Sequence, residues 1–170
     1  MTYFTTKTMT KVAAILVIAV VDVCAEERRA DGRRIVVSIP DRKLVLFEGD
    51  RPLKVYDVAV GKPSTPTPEG EFHIINHIAQ PTYYGSGVVM PPGENNPLGT
   101  RWMGLSTPGY GIHGTNVPSS IGKAASHGCI RMRQSDLEEL FSLVNVGVAV
   151  ELRGERTGLL AQVFATNLAN

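Results

Sequence analysis

From Arg34 onward the chain breaks into short apolar runs, each closed within nine residues by proline or glycine. "RIVVSIP" ends at Pro40 and "KLVLFEG" ends at Gly49, with Asp41-Arg42 between them as a tight turn. "LKVYDVAVG" alternates Val55, Asp57 and Ala59 against Tyr56, Val58 and Val60, a half-buried strand that stops at Gly61. Runs this short and this rich in β-branched residues are strands, because a helix needs a longer apolar stripe at a 3.6-residue period. "EFHIINHI", "TRWMGLS" and "VGVAVEL" repeat the pattern further along. The expected class is mostly β, with one short helix.

That helix is expected at Ser135–Val144, "SDLEELFSLV", where Leu137, Leu140, Phe141 and Val144 share one face. Ser135 as N-cap and Glu138 three residues later form a capping box on paper. Two stretches are loops by composition. "KPSTPTPEG" holds three prolines and a glycine, and Ala79–Gly99 is dense in Gly, Pro and Asn. A long irregular segment inside a small domain is usually a binding loop or lid. Tyr83, Tyr84 and, beyond it, Trp102 either line a cleft there or cover the core. The tail from residue 154 carries Leu159, Leu160, Val163, Phe164 and Leu168, enough for a short packing helix.

The N-terminus reads differently. Lys7 and Lys11 precede the apolar run Val12–Val21, and Val23 and Ala25 make a small-x-small site. This is the pattern of a secretory leader at 1–25, followed by a linker at 26–33, a catalytic domain at 34–153 and a tail at 154–170. The run is well short of the roughly 20 residues that span a bilayer. An uncleaved anchor, or acylation of Cys24, stays open. With 17 basic against 16 acidic residues the net charge is +1, so no electrostatic footprint for nucleic acid exists. The clustered Arg28-Arg29 and Arg33-Arg34 read as a solvated entry to the domain.

After cleavage one cysteine remains, Cys129 in "SHGCIRM". A lone thiol in an exported protein makes no internal disulfide. Its neighbours Ser126, His127, Gly128 and Arg131 are polar company for a core residue. Thiols attack as thiolates, so a nucleophile needs a base or a positive environment. His127 is two residues away on the same segment. His113, on "GYGIHGTNVP", sits on a separate segment that can fold across the thiol, and the geometry favours it as base. No acid is near in sequence to fix its tautomer, which points to a backbone carbonyl, with Gly114 allowing the tight turn. Gly128 lets a carbonyl substrate approach, and N–H groups around Gly128 and Cys129 can hold an oxyanion. Arg131 can lower the thiol pKa or bind a substrate carboxylate. His73 and His77 do not make a metal pair: four residues apart on a strand, they stand about 13 Å from each other at about 3.3 Å per residue. No paired-cysteine motif accompanies them, so neither metal nor cofactor is expected.

"IHGTNVPSSIGKAASHGCIRM" closely resembles the signature of the L,D-transpeptidase catalytic domain, the YkuD-like family: His-Gly, a spacer, then Ser/Thr-His-Gly-Cys, a hydrophobic residue and commonly Arg. "VAVGKPSTPTPEGEFHI" and "NNPLGTRWMGLS" resemble two further family passages, so the likeness runs from about Ile35 to Leu152. Met132 follows Arg131 where many members instead have Asn directly after the hydrophobic residue. The resemblance implies a β-sandwich-like domain in which Cys129 attacks the L-centre carbonyl of the third residue of a peptidoglycan tetrapeptide stem, releasing D-alanine and leaving a thioester. An amine then takes the acyl group, from another stem, a D-amino acid or a lipoprotein lysine. It further implies His113 as proton acceptor and donor, Gly114 as carbonyl to that base, and His127 as support for the site and the oxyanion. Gly128 is the expected oxyanion donor, and Arg131, Ser126, Tyr84 and Trp102 are grouped as substrate contacts. The implied location is the periplasm, with no stable membrane span once the leader is removed. An L,D-carboxypeptidase, or a hydrolase releasing wall-attached lipoprotein, shares the same nucleophile and is not separable by sequence.

Overall fold

The computed structural model describes residues 32–85 and 87–167. The leader with Cys24 and Ala25, the linker up to Asp31, and Leu168 lie outside the described residues. In chain order the strands are β1 (Arg33–Ser38), β2 (Lys43–Glu48), β3 (Arg51–Gly61), β4 (Gly70–Ala79), β5 (Tyr83–Gly85) and β6 (Val88–Met90). They continue with β7 (Arg101–Leu105), β8 (Gly111–His113), β9 (Ala124–Ser126), β10 (Ile130–Met132) and β11 (Ala149–Arg153). Two helices follow the Cys129 segment, α1 (Gln134–Leu143) and α2 (Gly158–Asn167).

The mostly β class expected from the strand rhythm, with the sandwich-like form that the resemblance implies, is the one found. Nine strands form one sheet in the order β10-β8-β7-β4-β11-β1-β2-β3-β9, and β10 also pairs with β3. The sheet therefore closes on itself like a barrel. Closure removes the edges beside β10, which would otherwise present unpaired backbone groups. The meander β1–β2–β3 is antiparallel, as the short turns dictate, but β1 takes β11 as a parallel partner and β10 takes β8 likewise.

The continuous apolar runs of β1 and β2 follow from two buried faces rather than one. Ile35, Val37, Leu44 and Leu46 point inward with Val58, Ile112, Met132 and Val150. Val36, Val45 and Phe47 point outward and are covered by Leu160, Val163 and Phe164 of α2. Alternate residues on a strand face opposite sides, so each face has its own core. Full burial of each Leu or Ile contributes about 1.5–3 kcal/mol. The tail is thus a structural helix, although Leu159, expected among its packing residues, is exposed. Arg34, expected in a solvated entry, is half-buried in β1 with its guanidinium over the Phe47 ring at 4.5 Å.

Helix α1 begins one residue before the expected start, and its capping box does not form. Arg133 is the N-cap, without a side-chain hydrogen bond. Glu138, expected to reach back toward Ser135, instead accepts hydrogen bonds from Thr100 Oγ1 at 2.6 Å and Gln134 Nε2 at 3.0 Å. A tertiary partner from β7's approach outcompetes the local one. Leu137 and Leu140 are fully buried and anchor the helix. The Ala79–Gly99 segment is less irregular than its composition suggests, since Tyr83–Gly85 pairs with Val88–Met90 as a small hairpin.

Candidate active site

The parallel register between β8 and β10 sets Arg131 opposite His113 and Ile130 opposite Ile112. Ile112 and Ile130 point into the core, so His113 and Arg131 project from the other face. Cys129 immediately precedes β10, and all three line one cleft of about 690 Å³. The wall is completed by Trp102, Ser126, His127 and the segments around Tyr83-Tyr84 and Pro97-Leu98. Arg131 is the single Lys, Arg, Asp or Glu among the lining residues.

His113 is almost wholly buried. Its Nδ1 lies 2.6 Å from the Gly114 carbonyl oxygen. A carbonyl only accepts, so Nδ1 carries the hydrogen and Nε2 is left as the basic nitrogen. The Gly114 carbonyl is itself located by close packing. Gly114 N–H donates to Leu98 at 2.8 Å, and a Cβ on Gly114 would meet Gln134 Oε1 at 2.8 Å and Gly99 Cα at 3.0 Å. Burial, opposed by the Gly114 contact and aided by the Arg131 cation, pushes the imidazole down to about 4. Burial also raises the Cys129 thiol above its ordinary value, against the pull of the Gly111 backbone N–H and Arg131. Both shifts favour the uncharged forms of the two groups.

Two expected roles change. Ser126 was grouped with substrate contacts, yet its side chain is fully buried. Its Oγ donates to the Cys129 carbonyl at 2.6 Å and accepts from the Gly128 N–H at 3.0 Å. Both capacities are used inside the turn that presents the thiol, so Ser126 braces the Cys129 turn. The second change follows from the first. Gly128 N–H is bound to Ser126 and does not face an oxyanion, which leaves the Cys129 N–H and the exposed His127 ring as the candidate donors. Gly128 has a different necessity: its φ is +113°, and a Cβ would lie 2.5 Å from Tyr110 Cε1.

Trp102 lies on β7, within the strand expected at "TRWMGLS". It is the cross-strand partner of His113, and the two rings stack at 5.6 Å between centroids. Tyr84 stands on the hairpin at the rim of the cleft, three-quarters exposed. His77, weighed as a metal ligand, is stacked on Phe141 at 3.4 Å. Among the described residues no three or more His, Cys, Asp or Glu side chains are gathered to hold a metal ion.

Two positioning residues escaped the sequence reading. Thr67 Oγ1 donates to the Gly128 carbonyl at 2.9 Å and accepts from Gly61 N–H at 2.8 Å, tying the proline-rich loop to the nucleophile turn. Asn96 Nδ2 donates to the Pro81, Met90 and Pro91 carbonyls at 2.9–3.2 Å, fastening both sides of the hairpin. Their signals are a polar residue flanked by prolines in "TPTPEG" and an Asn-Pro pair in "NNPLG"; each reads as a loop residue until its partners are seen.

A family model described as the L,D-transpeptidase catalytic domain matches residues 32–152. A putative L,D-transpeptidase, YkuD, of Bacillus licheniformis is 48% identical over 119 residues, covering 70% of this chain and 64% of that protein. Its Bacillus subtilis counterpart is 46% identical over 118 residues, covering 69% and 64%. The match thus spans somewhat under two thirds of these relatives' length. Among solved structures, the catalytic domain of an Enterococcus faecium L,D-transpeptidase superposes with a TM-score of 0.59 at 28% identity, covering 72% of this chain and 98% of that one.

Proposed function

The chain belongs to the L,D-transpeptidase catalytic-domain family, and on that premise we propose that it is a cysteine-dependent acyltransferase acting on peptidoglycan stem peptides. The observation that carries the reading is the shared cleft of Cys129 and a buried His113 whose Nδ1 is held by the Gly114 carbonyl. Cys129 Sγ attacks the L-centre carbonyl of the third stem residue while His113 Nε2 takes the thiol proton. The tetrahedral oxyanion is held by the Cys129 N–H with support from His127. As the intermediate collapses, the C–N bond to D-alanine breaks and His113 returns the proton to the departing nitrogen. The thioester then passes to an amine, with His113 again accepting a proton. Trp102 keeps the imidazole in place by stacking on it.

The leader-like pattern of residues 1–25 supports export, and the periplasm is the proposed location. No described helix is long and apolar enough to cross a membrane. Incubation with a disaccharide-tetrapeptide, followed by intact-protein mass spectrometry, tests the reaction. A thioester adduct with loss of D-alanine, then cross-linked dimer, is the expected result. It is absent in Cys129→Ala and slowed at least about a hundredfold in His113→Ala. Tripeptide without dimer would replace transfer by hydrolysis, and no adduct on a reduced, folded protein would refute the reading.

A further inference from the structure

Arg131 is a cation in an unusual position. Its Nε is buried and bonds no described group, and no described carboxylate pairs with the guanidinium. It is the one fixed charge on the cleft wall, and its field reaches both His113 and Cys129. Arg131 lines the cleft with no described carboxylate against it, so an anion entering the cleft meets an uncompensated guanidinium.

Resting on the transpeptidase reading above, we propose that Arg131 sets donor specificity by binding the free α-carboxylate of the residue whose amine leaves at His113. The argument is stereochemical. His113 delivers a proton to the leaving nitrogen, so that nitrogen must come to the imidazole. In an α-amino acid the carboxylate carbon is two bonds from the nitrogen. Arg131 is the register partner of His113 on the adjacent strand and projects from the same face. The carboxylate of the leaving residue therefore falls on the Arg131 side of the cleft. A side-chain carboxylate on the third residue lies several bonds beyond the reacting carbonyl and is not tied to His113 in this way. In the step itself, the S–C bond forms, the C–N bond breaks, and the thiol proton ends on the departing amine; its carboxylate stays ionised against the guanidinium throughout. A stem ending at the fourth residue satisfies Arg131. A stem extended by a fifth residue presents a neutral amide there and leaves the donor unpaired. Because the reverse step passes the same transition state, an amino acid with a free carboxylate also enters better than its amide.

The test compares three donors with the full chain: a tetrapeptide, the same tetrapeptide as its C-terminal amide, and the pentapeptide. Relative kcat/KM is read from the released amine and the acyl-enzyme mass. The wild type is expected to favour the free acid by about 10- to 100-fold, as for a charge-assisted hydrogen bond. Arg131→Gln brings the ratio close to one, Arg131→Lys keeps part of it, and exchange with D-alanine over D-alaninamide shows the same preference. Equal use of all three donors by the wild type overturns the proposal while leaving the transpeptidase reading intact. So does an Arg131→Gln defect of the same size on every donor, which would mean that Arg131 acts only through the thiol and imidazole. A preference that follows the third residue's side-chain carboxylate, tested with lysine in its place, also overturns it. No turnover of any donor sinks both readings together.

Discussion

Replacing Ser126 by alanine removes one oxygen from the centre of the nucleophile turn. That oxygen satisfies the buried Gly128 N–H and the partly buried Cys129 carbonyl. Alanine fits the space but bonds neither group, and the side chain it replaces is buried. An unsatisfied buried polar group costs about 1–3 kcal/mol, and the carbonyl falls at the low end because it is only partly enclosed, so the change costs about 2–4 kcal/mol. For a domain of this size even the lower figure shifts the thermal midpoint down by roughly 6–10 °C. The thiol loses its fixed direction as well, and a displacement near 1 Å costs on the order of a hundredfold in acylation. Calorimetry gives the midpoint, and stopped-flow acylation with a tetrapeptide gives rate and KM separately. Ser126→Thr keeps the hydroxyl and recovers most of the loss. An unchanged midpoint with an unchanged rate would refute the brace. An unchanged midpoint with a raised KM would return Ser126 to the substrate contacts.

Two other outcomes follow from the same geometry. His113 is held at about 4 against an ordinary 6.5, so between those values the unfolded chain binds a proton that the folded chain refuses. Stability contributed by the neutral imidazole is present above that window and is lost as pH falls through it, amounting to about 3 kcal/mol. Urea unfolding from about pH 7 to about pH 4 is expected to show this slope in the wild type and a shallower one in His113→Gln; parallel slopes would contradict it. Gly128→Ala places a Cβ 2.5 Å from the Tyr110 ring at a φ of +113°. The backbone strain alone costs about 1–3 kcal/mol, so both the midpoint and the acylation rate should fall, and retention of both would refute the strain.

The strands of β1, β2 and β3 were legible because alternation and turn residues are local properties, written within ten residues of each other. The cleft was legible in part through the family signature, which implied His113 and the Gly114 carbonyl together, and their contact is one between chain neighbours. Other features depend on partners far along the chain. Ser126 looked available because only folding encloses it, and Trp102, read on a strand, showed no link to His113 because their pairing is a register fact. The capping box was a sound local pattern that lost to Thr100, 38 residues away from Glu138. The parallel pairings of β1 with β11 and of β8 with β10, and the closure of β10 onto β3, join segments that no sequence period relates. Local periodicity thus determined the longer strands, and residue type with the signature motif determined which residues can do chemistry. Tertiary structure decided which of those residues meet, because hydrogen-bond capacity goes to whichever partner folding brings within reach and burial removes the alternative of water.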